Sequence, residues 1–313
     1  VADIAITGLA ANDPVPGEYN DILFAQGPQS NGAATYSMLI IGGKLSSGSA
    51  TAATVYGPAT PVPMLVEADV IALFGAGSEL HRMWLRVTKV NQVTPLYAIA
   101  VAEGVSAAAA TGTIAITAPT GGAVGAATLR IWIGEGSAGT GGFVDTGIAT
   151  GDIATTTAAS AVANINGQTC WPVTAAVASG GTATACSITL TTKQNGLRAN
   201  FVRYQAQILP AISGSAVTPT ASTLTSGGTV SDSNTNALAA IVASRYFYLV
   251  SAAGYEDTGA QASALLAQVN TQALPTNGIT QAVFIGSVDI QSSSLTFAQS
   301  LNAARVEMQW LYQ

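Results

Sequence analysis

The chain is 313 residues long, carries only 8% charged residues and has a formal net charge of −6. Its ten Lys and Arg residues form no basic run, which excludes an electrostatic nucleic-acid surface, since that needs clustered cations. No stretch reaches the roughly 18 uninterrupted apolar residues of a membrane span, so membrane insertion is not expected.

Residues 1–32 read as an extended N-terminal arm. Asp13-Pro14-Val15-Pro16-Gly17 holds two prolines that bar a helix interior. Tyr19, Ile22 and Phe24 follow with imperfect alternation, and Gly27-Pro28 and Asn31-Gly32 mark turns. Such a segment can add to a neighbouring subunit's sheet as an edge strand. A flexible terminus and an edge strand within the same subunit are equal alternatives on the residues alone.

Residues 33–106 read as the first part of an α/β core. Tyr36–Ile41 reads as a fully buried strand ending at Gly42-Gly43. Glu67–Phe74 predicts a short helix, with Ala68, Ile71, Ala72 and Leu73 on its inner face and Gly75 and Gly77 ending it. Ser78 is placed to cap a second helix, with Glu79 near its positive end and Leu80, Met83, Trp84 and Val87 on one face. Leu96–Val101 follows Pro95 as another buried strand, completing a parallel βαβ unit.

Composition shifts near Ala107. Residues 107–229, rich in Ala, Thr, Gly and Ser, read as an inserted β-rich outer domain. Thr113–Thr117, Leu129–Ile133, Val173–Val177, Ile188–Thr192 and Phe201–Ile208 are its expected strands, and Ile153–Ile165 its one helix. The α/β pattern resumes over 230–313. Helices are expected at Asn236–Ala243, Ala260–Leu274 and Leu295–Ala304, and strands at Tyr246–Ser251, Gln281–Val288 and Val306–Tyr312. A pattern that returns after an interruption predicts a mixed, mainly parallel α/β sheet, discontinuous in sequence, with the β-rich block inserted. Material beyond Gln313 is expected to be missing from this sequence.

Several segments, in order, resemble the Mu-like branch of contractile phage tail-sheath proteins. Val15-Pro16-Gly17-Glu18-Tyr19 is similar to that family's V-P-G-x-Y, and Met38–Gly42 to its first core strand. Phe74, Gly75, Gly77, Ser78, Leu80, Arg82 and Met83 match F-G-x-G-S-x-L-x-R-M. Pro95–Ile99 and Gly112-Thr113-Ile114 continue the likeness, and Asn195–Asn200 extends it with Ala199 at a usual glycine position. The resemblance implies a virion structural protein assembled in the host bacterial cytoplasm. It would stack as hexameric rings in a helical sheath around a tail tube and contract for host cell entry and genome ejection. Implied partners are neighbouring sheath subunits, the tail tube protein, and baseplate and tail terminator proteins. The family's C-terminal tube-facing domain and second arm have no counterpart here. Low charge with abundant small residues suits a surface covered by further copies, since a lone monomer usually carries more charge. Another self-assembling β-rich virion, surface or adhesin protein fits the same composition.

Reactive chemistry has little foothold. A serine triad needs an imidazole base, and only His81 exists, expected at a surface or interface. No G-x-S-x-G elbow or P-loop occurs; Gly42-Gly43-Lys44 lacks the spacing, and Gly134-Glu135-Gly136 is expected to be a turn. Arg198 and Arg203 are expected to be solvated or interface charges, and Trp84, Trp132, Trp171 and Trp310 to serve packing. Cys170 and Cys186, in or beside neighbouring strands, are expected as two small buried thiols. No catalytic residue, cofactor or metal site is expected, and the chain is read as a non-enzyme.

Overall fold

Strand β1 (Met38–Gly43) is apolar along its whole length, so it needs cover on both faces. The computed structural model provides that cover; it describes residues 37–52, 61–135, 142–210, 223–230, 238, 246, 248–251, 260–277, 280–287, 291–301 and 305–310. After β1 come β2 (Val62–Pro63), helices α1 (Glu67–Phe74) and α2 (Glu79–Val90), and β3 (Leu96–Val101). Far along the chain come β11 (Tyr248–Ser251), α4 (Ala260–Gln272), β12 (Ala282–Ser287), α5 (Gln291–Leu301) and β13 (Val306–Trp310). These strands form one sheet in the order β13-β12-β11-β1-β3-β2, parallel throughout except for β2.

Alternate side chains of the sheet feed two cores. Ile40, Ala98 and Ala100 pack with Val70 and Phe74 of α1 and Leu80 and Trp84 of α2. Leu39, Ile41, Ile99 and Leu249 pack on the other side with Leu265 and Val269 of α4. Helix α1 turns a different face inward from the expected one. Val70 and Phe74, one turn apart, are buried, while Ala68 and Ala72 are exposed. The larger side chains bury more apolar area, so they win the core position over alanine.

Between β3 and β11 the chain builds separate antiparallel sheets. Their strands are β4 (Ala109–Thr117), β5 (Ala127–Glu135), β6 (Gly142–Ile148), β7 (Val173–Val177), β8 (Ala185–Asn195), β9 (Val202–Leu209) and β10 (Thr223–Leu224). One sheet runs β10-β9-β5-β6 and the other β4-β8-β7. Strict alternation of buried and open positions in β4 and β9 turns one face of each sheet into a shared core. Helix α3 (Ala154–Gly167) closes that core with Ala154, Ala158, Ala161 and Ile165, all fully buried at helical spacing. Ser37–Gln313 is one compact unit.

Strand β6 was not expected. Its Gly142-Phe143-Val144-Asp145-Thr146-Gly147-Ile148 run carries two glycines and an aspartate, which lower strand propensity, yet seven cross-strand pairs tie it to β5. Gly134 lies within β5 and not in a turn. Helix α5 begins at Gln291, ahead of the expected Leu295. The arm of residues 1–32, including Val15, Pro16, Gly17, Tyr19, Ile22 and Phe24, lies outside the described residues. So does the helix expected at Asn236–Ala243, apart from the helical and buried Leu238.

Candidate functional site

The F-G-x-G-S-x-L-x-R-M segment forms the tight connection between α1 and α2. Phe74 ends α1 fully buried, and the Gly75 N–H continues to Ile71 O at 2.8 Å. Gly75 and Gly77 adopt φ of +90° and +81°, the region where a side chain is strained. A Cβ on Gly77 would also stand 2.4 Å from the Trp171 carbonyl oxygen, so this turn lies directly against the β7 side of the molecule. Ser78 caps α2: its Oγ accepts the His81 N–H at 3.1 Å. Leu80 enters the core beside Phe74, and Met83 packs half-buried against the same cluster.

His81, expected at a surface or interface, is completely buried within the chain. Its Nδ1 accepts the Gly77 N–H at 3.0 Å, and its Nε2 lies 3.3 Å from Glu67 Oε1. An acceptor at Nδ1 places the proton of the neutral ring on Nε2, where it can be donated to Glu67. Burial holds the imidazole below its ordinary 6.5; Glu67 opposes that effect, while the positive Arg82 and Lys193 reinforce it. The Arg82 guanidinium donates to the Gly77 carbonyl, so one glycine is gripped at both its N–H and its C=O.

Strand β8 answers from the other side. Lys193 Nζ donates to Thr169 O at 2.7 Å and Ala76 O at 3.3 Å; burial, then Arg82, lowers its pKa from 10.5. Gln194 Oε1 accepts the Glu79 N–H at 3.1 Å, and its amide nitrogen sits over Gly43, where a Cβ would fall 1.4 Å away. The Glu79 carboxylate accepts the Gly43 N–H at 2.7 Å and pairs with the Arg198 guanidinium. The two side chains of that pair are only 13% and 12% exposed, so Arg198, expected as a solvated or interface charge, is not a solvated one. At the end of β8, Asn195 Nδ2 donates to Glu103 Oε2 at 2.9 Å.

Phe74, Gly75, Gly77, Ser78, Leu80, Arg82 and Met83 thus meet in one place, a joint between the parallel sheet with its helices and strand β8. Sequence reasoning missed Glu67, Lys193 and Gln194 as members of it. The one usable signal was their polarity in a chain so short of charge. Both nitrogens of His81 are engaged with Gly77 and Glu67, an arrangement that positions the turn. Among the described residues no group of three or more His, Cys, Asp or Glu side chains could hold a metal ion. Trp84 is buried in the core under α1 and α2 and Trp171 in the core of the antiparallel sheets, while Trp132 is half-buried beside Arg130, whose guanidinium stacks 4.1 Å from the Phe143 ring centroid. Cys186 is buried and Cys170 half-buried, both as free thiols.

The chain matches no protein-family model and no curated protein. Among solved structures it is similar to the sheath tail protein Lin1278 of Listeria innocua, at 15% identity and a TM-score of 0.30 over 80% of this chain and 48% of that one. It is also similar to the D1-D2-D3 domains of the flagellar cap protein FliD of Escherichia coli, at 15% identity and a TM-score of 0.27 over 42% of this chain and 38% of that one. The chain therefore spans less than half the length of either.

Proposed function

We propose that this chain is a structural subunit of a contractile tail sheath of the Mu-like type, polymerising as stacked hexameric rings around a tail tube and shortening to drive that tube through a bacterial envelope. The observation that carries the reading is the F-G-x-G-S-x-L-x-R-M segment, Phe74–Met83, in the order and spacing of the other family-like segments across residues 15–112. The fold supports it: a mainly parallel sheet assembled from both ends of the sequence, with a run of antiparallel sheets between. In this reading residues 33–106 and 230–313 are the sheath core, 107–229 the inserted outer domain, and 1–32 an arm that pairs with an adjacent subunit. The tube, baseplate and terminator proteins are its partners, and the virion tail is its location. Its work is mechanical and not enzymatic. A metastable long form releases energy when shorter packing offers better subunit contacts, so no nucleotide is needed.

Negative-stain microscopy of the purified full-length protein tests this directly. Hollow, transversely striated tubes are expected. Monodisperse particles or thin fibres would reject the sheath assignment, and fibres would favour a surface adhesin. Deleting residues 1–25 is expected to abolish the tubes; normal tubes from the deleted chain would remove the arm from the account.

A further inference from the structure

The chain has a single histidine, and it stands at the centre of the joint. Its ring is wholly buried, with Nδ1 accepting from Gly77 and Nε2 facing Glu67. The groups that face it are Glu67 from α1, Arg82 from its own helix and Lys193 from β8. Gly77 itself is pressed onto the Thr169 and Trp171 carbonyls, and Ala76 is held by Lys193. The imidazole is therefore the inner support of a turn through which α1 and α2 rest on the β7–β8 side.

We propose that His81 is an acid-sensitive latch: proton uptake at Nδ1 turns the acceptor of the Gly77 N–H into a donor and frees the Ala76–Ser78 turn from Thr169, Trp171 and Lys193. The proton comes from solvent and no bond other than N–H forms. Two donors then face each other at 3.0 Å, and a new positive charge lies near Arg82 and Lys193. Once the turn opens, the ring meets water and regains its ordinary 6.5. The opened form thus binds more protons than the closed form, so closure is fully supported above about pH 6.5 and weakens as pH falls below it. At about pH 5.5, one unit below the free imidazole, the opened population rises relative to pH 7.5, by about tenfold at most. The latch follows from the joint and does not depend on the sheath reading.

Hydrogen exchange by mass spectrometry on the full chain, corrected for intrinsic rates, tests it between about pH 7.5 and pH 5.5. Segments covering 75–82 and 169–172 are expected to lose protection, by up to about tenfold, while α3 and β5 hold theirs. His81→Asn keeps an acceptor near Nδ1 but cannot titrate, and its protection should stay flat across the same range. The imidazole resonance gives a second readout that needs no variant: the ring of the closed form should titrate below 6.5. Unchanged protection in the wild-type chain, the same acid response in His81→Asn, or a ring that protonates while the turn stays protected would each overturn the proposal.

Discussion

Replacing Arg198 by Met removes the charge that faces Glu79 and keeps much of the side-chain volume. The pair is nearly desolvated, with 12% and 13% exposure, so salt and water screen it little. Removing one partner of such a pair costs about 3–5 kcal/mol, because the surviving charge stays buried. Glu79 keeps the Gly43 N–H at 2.7 Å, which argues for the low end, about 3 kcal/mol. For a chain of this size that corresponds to a melting temperature about 4–5 °C lower. Differential scanning calorimetry measures the shift, and a cycle with Glu79→Gln separates the pair from its surroundings. The double variant should lose less than the two single losses summed, because both substitutions remove the same contact. A loss below about 1 kcal/mol for Arg198→Met, or strict additivity in the cycle, would show that the joint does not rely on this contact.

Other substitutions test neighbouring parts of the argument. Gly77→Ala places a Cβ 2.4 Å from Trp171 O at a φ of +81°, and should cost about 2–4 kcal/mol in denaturant unfolding. Tyr204→Phe removes the hydroxyl that accepts the Thr113 N–H at 3.1 Å and should cost about 1 kcal/mol by the same assay. Ala158→Leu overfills the fully buried face of α3 and should cost about 1–3 kcal/mol. Arg130→Gln breaks a bidentate pair with Asp145 that stands in solvent, and the melting temperature should not move measurably.

The parallel sheet was legible because β1, β3 and β12 are short, mostly apolar runs bounded by glycine, proline or polar loops. Burial on both faces leaves the sequence no room for alternation. Helix α2 was legible for a different reason: a serine cap followed by Leu80 and Trp84 one turn apart marks both its start and its buried side. Strand β6 was hidden because its pairing with β5 overrides the weak propensity of its own residues, and cross-strand contacts are invisible along one chain. The same blindness applied to the joint. The segment 74–83 could be singled out from its residues, but Glu79 meets Arg198 across more than a hundred residues of sequence. Nothing local distinguishes a buried guanidinium from a solvated one.

The placement of charge argues that this joint is built to be specific. Only 8% of the chain is charged, yet Glu67, Glu79, Arg82, Glu103, Lys193 and Arg198 all meet between the parallel sheet and β8. Elsewhere alanine, valine and isoleucine hold the cores, with burial that is indifferent to direction. An apolar joint of the same area would be no less stable, since well-packed hydrophobic replacements often match or exceed buried ion pairs. It would, however, accept small slides and rotations at little cost. Paired donors and acceptors do not: Gly43, Gly77 and Glu79 each find their partners in one arrangement only, and leaving them strands buried polar groups at about 1–3 kcal/mol apiece. A joint made this way holds one orientation firmly, and lets go of it all at once.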